Sequence, residues 1–223
     1  MTEWLIRLRG HQSDLEDLSE WLTLPDLNVK KEDDHFYLRS SEFGPLTDAD
    51  EVRGRATELL DIVNGASTLR SGSYLPVELD TIAWIDAEGK LRHLVGLSVT
   101  AKWRVLAAQP PTGIESLVSL ARGNKKVADV LHFFQKGDWG SLYKAWELVG
   151  DAVGSEHKLT KKPWVDEGSK RRFTHTAQNR KVLDDAARHA SDRYANPITG
   201  GPMTLNEAKV FVRSVIEAWV ATL

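Results

Sequence analysis

The stretch Arg171-Arg172-Phe173-Thr174-His175-Thr176-Ala177-Gln178-Asn179-Arg180 gathers the side chains best suited to chemistry. On a helix, His175 lies four residues from Arg171 and Asn179 and three from Arg172 and Gln178. One face would then present an imidazole among guanidinium and amide donors. A few residues on, Asp184-Asp185-Ala186-Ala187-Arg188-His189 sets Asp185, Arg188 and His189 at i, i+3 and i+4. On such a face a carboxylate can orient an imidazole while a guanidinium holds an anion. Metal-free RNA cleavage needs little more: a His moves protons to and from the 2′-OH and leaving oxygen, and an Arg neutralises the developing phosphorane charge. His189, Arg188 and His175 are therefore the candidate catalytic residues. Lys170, Arg171, Arg172, Asn179, Arg180 and Asp185 are the candidate binding residues.

Plainer roles compete for the same residues. Arg188 and His189 suit the end of a helix, where cations stabilise the macrodipole and the last carbonyls. Thr174 and Thr176 can bond back to a carbonyl one turn earlier with no part in binding. A metal site from His175, His189 and Asp184 or Asp185 has little behind it, since the two histidines lack a fixed short spacing. No metal and no cofactor is expected. His157 falls in a polar loop and His132 in an apolar helix, and both read as structural. His11, His35 and His93 are isolated.

The charge pattern supports an anionic partner. Lys158, Lys161, Lys162, Lys170, Arg171, Arg172, Arg180 and Lys181 face only Asp166 and Glu167 between positions 158 and 181. Each phosphate neutralised by such a surface releases counterions; the alternative is a solvated face. The whole chain of 223 residues has a formal charge of -3, but residues 1–110 carry 12 Lys and Arg against 19 Asp and Glu, and residues 111–223 carry 17 against 13. The absence of cysteine excludes disulfides, thiol nucleophiles and thiolate metal sites. Gly-rich nucleotide loops, a Walker lysine, G-x-S-x-G and H-E-x-x-H are also missing. Neither a signal peptide nor an apolar stretch of membrane-spanning length is present, so a cytoplasmic protein without a membrane partner is expected.

Two kinds of element must position these groups. In the first half, strand alternation in Trp4–Arg9 is followed by a helix opened by Ser13 and Glu16, with Leu15, Leu18, Trp21 and Leu22 on one face. Short strands at 27–30 and 35–39 flank the turn Lys31 to Asp34. A second helix runs from Thr47 to a stop at Asn64-Gly65, and longer strands cover 78–86 and 91–105. The order implies an α+β fold, a mostly antiparallel sheet with two helices over residues 1–109. Beyond Pro110-Pro111 only helices follow, giving an all-helical domain over 112–223. Thr112 with Glu115 opens its first helix, Asp138 caps a third bearing Trp139, Leu142, Tyr143, Trp146 and Val149, and a short helix is expected at 184–189. Thr204 with Glu207 opens the last, with Leu205, Ala208, Val212, Val215, Ile216 and Trp219 in one stripe. Trp21, Trp139, Trp146 and Trp219 therefore read as core anchors, while Trp164, beside Pro163 in the basic stretch, stands apart.

The second half resembles an uncharacterised bacterial protein family in Phe173-Thr174-His175-Thr176-Ala177, Asp185-Ala186-Ala187-Arg188-His189 and Pro202-Met203-Thr204-Leu205. That resemblance implies no activity. More distantly, Arg188-His189-Ala190 followed by the last helix is similar to HEPN domains, helical units that include metal-independent RNases of toxin and phage-defence systems; here Arg188 adjoins His189 instead of preceding it by several residues. The expectation is a helical domain that binds an anionic partner, RNA or a nucleotide, with metal-independent RNA cleavage as a further reading left open within it. The alternative is a non-catalytic regulatory or protein-interaction module, for which the Trp-rich helices would form a homodimer core. A third is a small-molecule enzyme with a pocket between domains.

Overall fold

A computed structural model describes residues 3–86, 88, 90–94, 113–183, 187 and 198–223. Contacts divide the chain into two units, Met1–Gly123 and Asn124–Leu223.

The first unit is α+β. Its strands are β1 (Glu3–Arg9), β2 (Thr23–Leu24), β3 (Leu27–Glu32), β4 (His35–Ser40), β5 (Glu78–Ile85) and β6 (Leu91–Leu94). They form one sheet in the order β2-β3-β4-β1-β5-β6, with every neighbouring pair antiparallel. Because side chains alternate across a strand, the register Val29↔Leu38, Leu38↔Ile6 and Ile6↔Ile82 lays one buried apolar row across four strands. Leu5, Tyr37 and Ala83 are buried together on the opposite face. The β3–β4 hairpin closes through Asp33 and Asp34, at φ 46° and 63°. Two successive left-handed residues match the twist of the strands, and the short polar side chain of Asp tolerates them.

Helix α1 (Gln12–Trp21) packs on β3, and α2 (Ala49–Arg70) packs on β5. Two expectations for these helices change. The Ser13–Glu16 capping box does not form: the N-cap is His11, and Ser13 Oγ instead lies 2.9 Å from His11 Nδ1. Nor does α2 stop at Asn64-Gly65. Asp48 caps its start, and the helix runs on to Arg70 because Asn64 finds buried partners. Asn64 Nδ2 donates to Val77 O at 2.8 Å, while its Oδ1 accepts from Tyr74 OH at 2.8 Å and from Val77 N at 3.0 Å. A residue read as a helix stop thus clasps the strand-entry segment.

Helix α3 (Ile114–Gly123) belongs with this unit, packing on α2 and burying Ile114, Leu117, Val118 and Ala121. Arg122 donates to Asp26 at 2.8 Å and Glu42 at 2.6 Å, and Glu115 accepts from the amide and hydroxyl of Thr23. The contact boundary therefore falls at Gly123–Asn124. The expected break at Pro110-Pro111, the strand beyond Leu94, Trp103 and Thr112 all lie outside the described residues.

In the second unit every described element is a helix: α4 (Lys125–Phe134), α5 (Trp139–Ala152), α6 (Glu156–Leu159), α7 (Glu167–Gln178), α8 (Arg180–Leu183) and α9 (Leu205–Val220). Asn124, Asp138, Ser155 and Asp166 cap α4 to α7 with side-chain oxygens, each satisfying amides that a first helical turn leaves open. Thr204 and Glu207 complete a capping box for α9. Phe173 of α7 is fully buried, with ring centroids of Trp139, Tyr143, Trp146 and Phe211 between 5.4 and 6.2 Å away. This aromatic cluster joins α5, α7 and α9. It fixes which side of α7 faces outward. No helix among the described residues is long and apolar enough to cross a membrane.

Candidate functional site

Helix α7 carries most of the candidate residues. Asp166 holds its start by accepting from Ser169 N at 2.6 Å, a backbone hydrogen bond that lowers the Asp166 carboxyl below its ordinary pKa. Phe173, Thr176 and Ala177 point into the core, so Arg171 and His175 stand one turn apart on the outer side, Arg171 exposed and His175 half-buried.

Adjacent cations on α7 have different fates. Arg172 turns toward the segment before α9: Nε donates to Gly201 O at 3.2 Å, and Nη2 donates to Pro202 O at 3.3 Å and Glu207 Oε1 at 3.2 Å. The backbone it grips is left-handed at Gly200 and Gly201, φ +83° and +76°, which glycine adopts without a Cβ clash. Lys170 pairs with Glu167 at 3.2 Å. Arg171 remains exposed, and its guanidinium has no partner among the described residues.

The polar neighbours of His175 are also engaged. Thr174 Oγ1 donates back to Lys170 O at 3.0 Å, and buried Thr176 Oγ1 accepts from Met203 N at 3.0 Å. Gln178 donates to Tyr143 OH at 2.7 Å. Asn179 is buried, with Oδ1 accepting from Lys181 N at 3.1 Å as α8 begins. Arg180 opens α8. Asp185, Arg188 and His189 lie outside the described residues, as does the expected helix at 184–189 apart from Ala187. The structure therefore brings Arg172 and Thr176 to the α9 entry and keeps Arg171 and His175 on the outer side. Among the described residues, no group of three His, Asp or Glu side chains is placed to hold a metal.

Lys158, Lys161, Lys162, Arg171 and Lys181 form the remaining basic set on α6, the α6–α7 turn, α7 and α8. Each is exposed, and its charged group makes no ion pair among the described residues. Among the described residues, the acidic groups on or beside these elements are engaged: Asp166 in its cap, Glu167 with Lys170, Glu207 with Thr204 and Arg172, and Glu156 as acceptor from Trp146 Nε1 at 3.2 Å. Glu207 is held below its ordinary pKa first by the Thr204 amide, then by the Thr204 hydroxyl and Arg172. It stays ionised and neutralises Arg172.

One feature escaped the sequence reading. A groove of about 500 Å³ lies between the α6–α7 turn, α7 and α9, with Trp164, Met203, Val210 and Phe211 as its apolar walls. Val210 is 66% exposed. Its only signals were Trp164 beside Pro163 in the basic stretch and a valine outside the buried stripe of α9. The first unit has a cavity of about 600 Å³ at one end of the sheet, lined by Trp4, Asn28, Lys30 and Arg39. Arg39 is already paired there with Glu3 and Glu32. No protein-family model, curated protein or solved structure matches the chain.

Proposed function

We propose that the Asn124–Leu223 unit binds an anionic partner, RNA or a nucleotide, as a cytoplasmic binding module. The observation that carries this reading is the exposed set Lys158, Lys161, Lys162, Arg171 and Lys181, unpaired among the described residues, beside carboxylates already spent on caps and ion pairs. Each phosphate that such a cation neutralises releases a counterion condensed on the nucleic acid, which favours association at low salt. If all five contact a single strand, the logarithm of affinity falls with the logarithm of salt with a slope of roughly −3.5, at about 0.7 per phosphate.

The test is a titration of labelled single-stranded RNA with the full chain at several salt concentrations, repeated with all five cations changed to Gln. Steep salt dependence that flattens in the variant supports the proposal. Absence of RNA binding at low salt, or binding indifferent to both salt and the substitutions, overturns it. Cleavage is a separate property, expected of His189, Arg188 and His175. RNA degraded in excess EDTA by the unaltered chain and spared by His189→Ala would add it to binding.

A further inference from the structure

We infer that the groove beside Trp164 receives an unpaired base of single-stranded RNA while the phosphates follow the lysines of the α6–α7 turn. The inference rests on the proposed anion-binding reading and specifies the form of nucleic acid. Lys161 and Lys162 precede Trp164 by three and two residues on one turn, which Val165 N closes by donating to Lys162 O at 3.0 Å. Cations and the aromatic wall are therefore neighbours by covalent connection.

Charge decides what can enter. Asp166 and Glu207 line the groove together with Arg172. Both carboxyls sit below their ordinary pKa and stay ionised at neutral pH. Arg172 is occupied by Glu207 and two carbonyls, so a phosphate or an acidic side chain inside the groove would face carboxylates without a free cation. A nucleobase is neutral. Its faces can pack on Trp164 and cover the exposed methyl groups of Val210, and its edge can bond to the exposed Asn206 amide, which offers both donor and acceptor. At about 500 Å³ the groove falls within the range of small-molecule sites, roughly 300 to 1,000 Å³. A duplex keeps its base faces stacked and cannot present one, so the site selects single strands.

The test uses the full chain, a labelled single-stranded oligoadenylate and a duplex RNA of similar charge, with affinities from fluorescence anisotropy. Trp164→Ala is expected to weaken single-strand binding roughly 5- to 150-fold, the range for loss of one base–aromatic stack, with duplex affinity and salt slope unchanged. Trp164→Phe should keep most of the affinity. Val210→Glu, at a position open enough to leave the fold intact, should reproduce the loss by adding a third carboxylate at the groove. Single-strand affinity unchanged in both Trp164→Ala and Val210→Glu overturns the base site and leaves anion binding standing. An equal loss for duplex and single strand also overturns it. Failure of the unaltered chain to bind any RNA at low salt defeats the underlying reading instead.

Discussion

Changing Arg171 and Arg172 to Gln one at a time separates two neighbouring guanidiniums that the sequence treats alike. Arg172 makes two hydrogen bonds to the carbonyls of Gly201 and Pro202 and one ion pair with Glu207, all between 3.2 and 3.3 Å. Its side chain is 28% exposed and that of Glu207 46% exposed, so solvent screening holds the ion pair to a few tenths of a kcal/mol up to about 1. The two carbonyl bonds are long and border water, which places them near the lower end of the usual net value, together about 1 to 1.5 kcal/mol. Arg172→Gln should thus destabilise the helical unit by roughly 1.5 to 2.5 kcal/mol, a fall in Tm on the order of 10 °C for a unit of this size. Arg171→Gln should change stability by less than about 0.5 kcal/mol. It should instead lower RNA affinity and reduce the salt slope by about 0.7, one phosphate contact. Urea unfolding monitored by amide hydrogen exchange of α7 and α9 gives the first quantity, and anisotropy at graded salt gives the second. Full stability in Arg172→Gln, or a larger destabilisation by Arg171→Gln, would refute the division of roles.

Other substitutions probe the supports of the two units. Phe173→Ala removes the ring shared by α5, α7 and α9 and should cost about 3 to 5 kcal/mol, read from the urea midpoint. Asn64→Ala strands Val77 N, Val77 O and Tyr74 OH in the first unit, a loss of roughly 3 to 5 kcal/mol by the same measurement. Arg122 governs the acid limb of stability. Its hydrogen bond lowers the Asp26 carboxyl; Glu42, pushed up by partial burial, is carried below its ordinary value by Arg122 and Arg55. Both folded-state pKa values lie below the unfolded ones, so this contribution is complete above the ordinary carboxylate range and fades as pH falls through the depressed values. Stability measured between about pH 5 and about pH 2 should fall less steeply in Arg122→Gln.

Much of the local structure was legible because it depends on near neighbours. Alternation marked β1, a polar turn between two short runs marked β3 and β4, and Asp138 and the Thr204–Glu207 pair capped the helices they were expected to cap. What the sequence could not supply were partners distant in the chain. Asn64-Gly65 has the form of a helix stop, but Val77 and Tyr74 satisfy the asparagine. Helix α3 follows a Pro-Pro pair, yet Asp26 and Glu42 bind it to the sheet unit. The basic stretch was visible as composition; which cations are spent was not, because Arg172 finds Glu207 only after 35 residues of intervening chain. The groove arises where the α6–α7 turn and α9 meet, so Trp164 and Val210 were visible singly in the sequence but their juxtaposition was not.

The Asn64-Gly65 clasp also bears on how the protein ages. Asn-Gly is the dipeptide most open to deamidation, since the unhindered glycine nitrogen can attack the asparagine side-chain carbonyl to close a succinimide. Within α2 that nitrogen belongs to the helix, and the side-chain amide is held on both sides by Val77 and Tyr74. Chemical durability is therefore a property of the fold. A chain that unfolds can lose ammonia at Asn64 and return with a carboxyl group in a pocket built for an amide, so that a transient loss of structure becomes a permanent change of sequence.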